Sequence, residues 1–232
     1  MEIDGCPLPE DRLYDLESDV WYRLEEDGTS ARVGLLGPLV WFAGPFVSVA
    51  FRPVEGTVGR GRSVATVEST RYTGAVRLPV DAVVVERNPA IVGRPRLLND
   101  SPYDAGWVVR VRPSDVGTLP DGLESAAAVV ARVTERIRVQ RIRCWPQTPD
   151  LALYEIGIEC SAVITLLNEE LTRRAAGDAV LLVTDDPTST IEMERWSDQT
   201  GHRLLAHRLE GTLHQFLVRK EAHPVPRRRP GS

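Results

Sequence analysis

The first half of the chain is a series of short, valine-rich segments, each bounded by glycine, proline, asparagine or aspartate. Between the first two segments, Glu26-Asp27-Gly28 ends in the Asp-Gly pair that is typical of a hairpin turn. Short strands at regular spacing, with turn residues between them, predict a small β barrel or sandwich. An apolar interruption at Leu36–Ala43 predicts a helix that packs on the sheet. The predicted strands are Val20–Glu25, Ser30–Leu35, Phe46–Phe51, Ser63–Glu68, Gly74–Pro79, Ala82–Glu86 and Trp107–Arg112.

The middle of the chain predicts a helix over 121–138 and a proline-containing linker over 141–150. Asp121 can cap this helix, and Val130, Val133 and Ile137 recur on one face at helical spacing. Several arginines and Trp145 follow on and after the helix. They suggest either an RNA or acidic-partner surface or a solvated helix face, and the acidic net charge favours the second. These arginines are Arg132, Arg136, Arg138, Arg141 and Arg143.

The last part of the chain alternates between strand and helix patterns. The order βαβαββ predicts helices packed on one side of a mixed sheet. Asp185-Asp186-Pro187 resembles a paired-carboxylate site, but before a helix it first predicts a turn and cap. The predicted elements are strand Leu151–Ile158, helix Ser161–Ala176 closed by Gly177, strand Ala179–Thr184, helix Thr188–Thr200, and the hairpin His202–Leu209 and Thr212–Lys220.

Composition excludes several classes of protein. The 232 residues contain 42% hydrophobic residues, enough for ordinary globular cores, and the net charge of −5 argues against a dedicated nucleic-acid binder. We find no run of about 20 apolar residues that would span a membrane. The start, MEIDGCPLPEDR, carries acids where a signal peptide needs a basic and then an apolar region, so we expect a cytoplasmic protein.

The three cysteines and four histidines do not fall into a recognisable site. Because the cysteine count is odd and no C-x-x-C pair exists, the sequence predicts neither a disulfide framework nor a four-cysteine zinc site. The histidines lack H-E-x-x-H spacing, and we expect no metal centre. Cys144, beside Trp145-Pro146, is either an exposed resolving thiol or incidental.

Two separated motifs in the first half resemble the glycine cleavage H protein. The run Val67-Glu68-Ser69-Thr70-Arg71-Tyr72-Thr73 resembles the lipoyl loop of that family, and Asn99-Asp100-Ser101-Pro102-Tyr103-Asp104-Ala105-Gly106-Trp107 resembles its later signature. Leu8-Pro9-Glu10-Asp11 and the Val20-Trp21 strand also fit. The resemblance covers residues 1 to about 117 and implies a barrel-sandwich hybrid fold.

The same resemblance implies a lipoyl carrier whose prosthetic group is missing. In that family a lysine at the hairpin tip bears lipoate in amide linkage, and the matching position here is Arg71. Arginine is not acylated at such a site, and the only lysine in the chain is Lys220. We therefore expect no lipoate and no other cofactor. Arg71 is either a solvated hairpin charge or a contact to an anion or partner.

A second resemblance rests on Gly157-Ile158-Glu159-Cys160, Thr184-Asp185-Asp186-Pro187 and the strand ending Leu217-Val218-Arg219-Lys220. Together they resemble TusA-like sulfur carriers, in which a cysteine at a helix start holds a persulfide. Cys160 is the matching residue. A thiol at a helix N-terminus is favoured as the nucleophilic thiolate, although this motif has Ser161 and Val163 where the family has prolines.

Two other interpretations concern the cysteines. Cys160 could instead be a buried small hydrophobic residue, as most free cysteines are. Cys6-Pro7-Leu8-Pro9 also spells Cys-Pro-x-Pro, but it lacks the strand-then-helix context, so we interpret it as a coincidence.

The sequence thus predicts an α+β protein of two domains. We expect an H-protein-like β domain over 1–117, a helix and linker over 118–150, a two-layer TusA-like α/β domain over 151–221 and a disordered tail over 222–232. The leading hypothesis is a non-enzymatic sulfur carrier that delivers a Cys160 persulfide to a protein partner of a sulfur relay or H-protein-type complex. The alternatives are a docking adaptor without covalent chemistry and an H-type carrier in one-carbon metabolism.

Overall fold

The computed structural model describes residues 1–115 and 121–226, and the side chain of Cys160 also lies outside its description. The chain divides into two compact units, Met1–Cys144 and Trp145–Ser232. The predicted domain boundary at 117 and residues 227–232 of the predicted tail over 222–232 fall outside the described residues. The predicted domain limits therefore stay predictions.

The first unit contains all seven strands that the valine-rich pattern predicts, with ends that agree or differ by one or two residues. Its strands are β1 (Glu2–Ile3), β2 (Cys6–Pro7), β3 (Leu13–Asp15), β4 (Val20–Leu24), β5 (Ala31–Leu35), β6 (Phe46–Phe51), β7 (Thr57–Val58), β8 (Ser63–Ser69), β9 (Thr73–Arg77), β10 (Ala82–Arg87), β11 (Trp107–Pro113) and β12 (Glu124–Ser125). Its helices are α1 (Gly37–Ala43), α2 (Ala90–Gly93), α3 (Leu97–Asp100) and α4 (Ala126–Val139).

Two antiparallel sheets of this unit share one hydrophobic core. The larger sheet has the order β12-β3-β4-β5-β11-β10-β7, and the smaller one has the order β6-β8-β9. Val33 and Val109 of the larger sheet lie in the same buried cluster as Val49, Val67 and Val76 of the smaller sheet. Two sheets packed face to face over a common core confirm the predicted sandwich.

Helix α4 packs its apolar face into a second buried cluster of the first unit. Val129, Val133 and Ile137 lie there with Trp21 and Leu36, whereas the predicted Val130 is only partly buried. The predicted start at Asp121 was wrong. Gly122 has a φ of +86°, which turns the chain away from helical geometry, and the helix begins after Ser125, whose Oγ accepts a hydrogen bond from the N–H of Ala128.

The turn between β4 and β5 is built on the carboxylate of Asp27. This group accepts hydrogen bonds from the N–H groups of Thr29 and Ser30 and from the Ser30 hydroxyl, each at 2.8 Å. Gly28 takes a φ of +62°, as the predicted Asp-Gly turn requires. The turn therefore favours the ionised form of Asp27.

These hydrogen bonds, those from Thr29 and Ser30 first, lower the pKa of Asp27 to about 2. Because the folded-state pKa is depressed, the stabilisation is present above the ordinary carboxyl pKa of about 3.9 and is lost as the pH falls through the folded-state value. We expect an NMR titration to place the Asp27 midpoint near 2. The variant D27N should lose this part of the acid dependence of unfolding, and the control variant E26Q should keep it. A titration midpoint of Asp27 near the ordinary carboxyl pKa would contradict the prediction.

The second unit has the predicted βαβαββ order. Its elements are β13 (Leu151–Glu155), α5 (Cys160–Thr172), β14 (Ala179–Thr184), α6 (Ser189–Thr200), β15 (Arg203–Glu210) and β16 (Leu213–Arg219). The sheet order is β13-β14-β16-β15, with β13 parallel to β14 and the other pairs antiparallel. The sheet is therefore mixed, as predicted.

Both helices of the second unit cover one face of this sheet. Alternate residues of β14 and β16 point to that face, and Val180 and Phe216 are buried there with Leu167 of α5 and Trp196 of α6. The predicted ends of the first strand and the first helix of this unit were wrong, because both elements are shorter than predicted. Strand β13 ends before Gly157, which has a φ of +74°, and α5 ends at Thr172, well before Gly177. No described helix is both long and apolar enough to cross a membrane.

Candidate functional site

The hairpin between β8 and β9 carries Arg71 at its tip. The turn is closed by the N–H of Ser69, which donates to the carbonyl oxygen of Tyr72 at 2.8 Å. The N–H of Arg71 donates to the Ser69 hydroxyl oxygen at 3.3 Å. The ring of Tyr72 packs edge-on against Phe46, with centroids 6.5 Å apart, so the tip is fixed to β6.

The guanidinium of Arg71 folds back onto the last turn of α1. Its Nε donates to the carbonyl oxygen of Ala43 and its Nη2 to that of Trp41, both at 3.3 Å. The hydroxyl of Ser69 donates to the same Ala43 oxygen at 2.7 Å. A cation at the free carbonyls of a helix C-terminus is favourable. Arg71 is exposed, and its guanidinium is hydrogen-bonded to the end of α1.

Gly44 lets the arginine approach the helix end. The residue caps α1 with a φ of +75°, and a Cβ there would lie 3.1 Å from Nε of Arg71. Any other residue at this position would meet both an unfavourable backbone conformation and a crowded neighbour. The side chain at the hairpin tip therefore packs closely against the C-terminal end of α1.

The predicted signature over 99–107 holds α1 at both of its ends. At the start of the helix, the N–H of Gly37 donates to the hydroxyl oxygen of Tyr103 at 2.9 Å. After its end, the buried Asn99 donates from Nδ2 to the carbonyl oxygen of Gly44 and accepts from the N–H of Phe46, both at 2.9 Å. The signature therefore positions the helix on which Arg71 rests.

The signature is in turn anchored to the large sheet. Trp21 donates from its indole nitrogen to the carbonyl oxygen of Pro102 at 2.9 Å, and Arg12 donates to that of Tyr103 at 2.6 Å. The guanidinium of Arg12 also lies over both rings, 4.9 Å from the Trp21 centroid and 5.2 Å from that of Tyr103. Burial raises the pKa of Tyr103, so its hydroxyl stays protonated over the ordinary pH range.

The arginines of α4 have carboxylate partners. Arg136 pairs with Asp19 and donates to the carbonyl oxygen of Leu16 at 3.0 Å, which fixes α4 to the β3–β4 turn. Arg132 pairs with Glu124 at 2.5 Å, and Arg138 pairs with Glu135 at 2.6 Å. These pairs agree with a solvated helix face, the interpretation that the acidic net charge favours.

Two of the three cysteines form a disulfide, although the odd cysteine count had argued against disulfides. Cys6 and Cys144 are bonded across a sequence separation of 138, and each is 1% exposed. The interpretation of Cys144 as an exposed or incidental thiol was wrong, because it is buried and bonded to Cys6. Both residues lie in the core cluster of α4. Spacing along the chain carries no signal for such a distant pair.

The structure places the backbone of Cys160 at the first position of α5. Its side chain lies outside the described part of the structure. Asp185 and Asp186 form turns, as predicted: Asp185 accepts from the N–H of Gly157 at 2.7 Å, and Asp186 from the N–H of Thr188 at 2.7 Å. Lys220 donates from Nζ to the carbonyl oxygen of Arg174 at 2.6 Å, beyond the end of α5.

Two histidines that spacing did not connect lie together on the hairpin of β15 and β16. Nε2 of His207 is 3.1 Å from Nδ1 of His214, and the hydroxyl of Thr190 is 3.2 Å from the same Nδ1. Desolvation first, and then the charge of His214, lower the pKa of His207. Among the described residues we find no group of three or more side chains that could hold a metal ion.

The hairpin tip, α1 and the signature over 99–107 all lie within the part of the chain that matches a known family. A family model described as Glycine cleavage H-protein matches residues 12–136, more than half of the chain. The chain belongs to the glycine cleavage H-protein family. The match confirms the resemblance drawn from the two motifs, and it extends beyond the predicted limit at 117 to include most of α4.

Two H proteins of known sequence support the same assignment. Glycine cleavage system H protein 2 of Aquifex aeolicus (strain VF5) is 32% identical over 143 residues, covering 62% of this chain and 88% of the relative. Glycine cleavage system H protein 5 of that organism is 35% identical over 147 residues, covering 62% and 98%. The crystal structure of an H protein from Mycobacterium marinum is 30% identical, with a TM-score of 0.47, and covers 54% of this chain and 98% of that one.

Proposed function

We propose that this H-family chain is a docking component of a multiprotein carrier system and that its hairpin tip bears no lipoate. One observation supports the proposal above all: within an H-protein domain, the tip residue is Arg71, and its guanidinium donates hydrogen bonds to carbonyl oxygens of α1. The domain supplies the surface that partners of an H protein would recognise. At the tip, the hydrogen-bonded guanidinium of Arg71 stands where the family has a mobile lipoyl-lysine side chain.

The chemistry of the tip supports this assignment. Attachment of lipoate as an amide requires an amine, and the guanidinium of Arg71 stays protonated and is not an acylation substrate. Its two hydrogen bonds also restrict the side chain, whereas a carrier arm must move between partners. Lys220, the single lysine of the chain, lies in the second unit with its ammonium group bonded to the carbonyl oxygen of Arg174.

Intact mass and binding measurements on the full chain test the proposal together. The chain purified from its native host should show no lipoyl increment. It should also bind proteins of the host's glycine cleavage system, and it should compete for them with the lipoylated H protein of that host. The chain would bind these proteins through the shape and surface of its H-protein domain, which does not require the prosthetic group.

Two controls sharpen the experiment. R138A removes an exposed charge of α4 and should leave binding unchanged, whereas R71E should weaken it if the tip contacts the partner. A chain that carries lipoate would contradict the proposal, as would a folded, unmodified chain that fails to bind these proteins at concentrations at which the host's H protein binds.

Sulfur carriage by Cys160 is the second candidate function. The backbone of Cys160 opens α5, and Glu159 before it makes no side-chain cap hydrogen bond to the first turn of the helix. Such a position favours the thiolate. The thiolate would attack the terminal sulfur of a donor persulfide, the donor's S–S bond would break, and the donor would leave as a thiolate. A mass increment of one sulfur, removed by a thiol reductant and absent from C160A, would support this candidate.

The proposed location is the cytoplasm, and the disulfide makes it testable. Cytoplasmic proteins of most organisms keep their cysteines reduced, although some hyperthermophiles are an exception. Alkylation of free thiols in intact cells, before lysis, reports whether Cys6 and Cys144 are joined in the native host. If they are fully oxidised while cytoplasmic reporter proteins stay reduced, the cytoplasmic location is wrong.

A further inference from the structure

The small sheet has a cleft at the end opposite the Arg71 tip. Its volume is about 580 Å³, and it lies between the end of β6, strand β7, the start of β8 and the end of β9. Ser63 and Arg77 are register partners at this end of the β8–β9 hairpin. Because β8 is a strand of seven residues, the cleft is roughly 20 Å from the tip.

Three arginine side chains line this cleft. They are Arg52 directly after β6, Arg62 before β8 and Arg77 at the end of β9, and all three are exposed. The lining contains one carboxylate, that of Glu55. The cleft is therefore locally cationic on a chain whose net charge is −5.

The donors of these arginines are largely unused within the described part of the chain. Arg77 donates one N–H to the carbonyl oxygen of Gly61 at 2.9 Å, and we find no ion pair or side-chain hydrogen bond for Arg52 or Arg62. Elsewhere in this unit, arginines such as Arg110 and Arg132 lie against carboxylates. Three like charges around one concavity repel each other, and an anion in the cleft would relieve that repulsion.

The cleft also offers apolar contact. Val58 of β7 is 7% exposed and belongs to the shared core, and Val54 packs against the same core. Both line the cleft together with Pro53 and Ala75. An apolar floor with convergent guanidinium groups fits a ligand that has an anionic group and an apolar body.

We propose that this cleft binds a small organic anion, whose oxyanion is held by Arg52, Arg62 and Arg77 and whose apolar part rests on Val54 and Val58. Guanidinium groups present paired N–H donors that match phosphate and carboxylate oxygens. The site is independent of the tip, so it would give the chain a ligand-binding function whether or not the proposed docking role is correct.

Titration of the full-length protein with phenyl phosphate, benzoate and inorganic phosphate tests this inference. We expect saturable shifts of the backbone amide signals of Val54 and Ala75 in NMR spectra. Phenyl phosphate should bind several-fold more tightly than inorganic phosphate because it adds apolar contact. The comparison with benzoate shows whether the cleft prefers a phosphate ester or a carboxylate.

Matched arginine variants decide whether the named side chains hold the anion. R52A and R62A, both at exposed positions, should each weaken phenyl phosphate binding roughly fivefold to tenfold by removing a charge-assisted hydrogen bond. R138A, an exposed arginine of α4, should leave it unchanged. The inference is overturned if no probe gives saturable shifts at the cleft, or if R138A weakens binding as much as R62A does.

Discussion

Removing the Cys6–Cys144 disulfide should lower the free energy of unfolding by about 4 kcal/mol. The bond closes a loop across a sequence separation of 138, and for a loop of this size the chain-entropy estimate is about 5 kcal/mol. Measured losses on removing native disulfides are typically about 2–5 kcal/mol. The expected loss is large because the bond joins the N-terminal segment to the residues after α4, and both ends lie in one buried cluster.

Urea unfolding of the C6A/C144A double variant measures this loss directly, since alanine introduces no buried polar group. Unfolding of the unaltered protein with and without a thiol reductant should give a similar difference. C160A is the matched control and should keep the full sensitivity to reductant. If the unreduced, unfolded protein shows three free thiols and not one, the disulfide is absent and the prediction fails.

Local patterns in the sequence predicted the strands well. Strands Phe46–Phe51 and Ala179–Thr184 have the predicted limits, because their ends are set by adjacent glycine, proline and aspartate residues. The start of α4 was missed because Asp121 has the chemistry of a cap, while the positive φ of Gly122 depends on tertiary packing. The disulfide was missed because its two residues approach each other only in the folded chain.

In the candidate site too, local features could be predicted from the sequence and tertiary contacts could not. The lipoyl-loop motif was sufficient to predict that Arg71 lies at a hairpin tip. It could not predict that the guanidinium caps α1, since the carbonyl groups of Trp41 and Ala43 are 30 and 28 residues away in sequence. Nor did the signature over 99–107 reveal that Asn99 and Tyr103 hold that helix, because side-chain partners depend on how segments distant in sequence pack in the folded chain.

Substitution of Arg71 by lysine should convert an unmodified tip into a lipoylated one. The variant R71K supplies the amine that the tip lacks, at a position where the β8–β9 turn projects one long side chain. A lysine has no counterpart to the Nε and Nη2 pair that bonds Ala43 and Trp41, so it would leave the end of α1 more easily than the arginine does. In cells with an active lipoylation system, we expect most R71K molecules to gain one lipoyl group, seen by intact mass and peptide mapping.

The control R77K places a lysine at an exposed position on the same hairpin but away from the tip, and it should stay unmodified. This pair separates two causes for the absence of lipoate. If R71K is modified and R77K is not, the tip has kept the shape that a lipoylating enzyme recognises, and the arginine alone prevents modification. If R71K stays unmodified while the host's own H protein is lipoylated in the same cells, the surroundings of the tip also exclude the enzyme. In that outcome α1 and the hairpin would have specialised for docking beyond the single change at position 71.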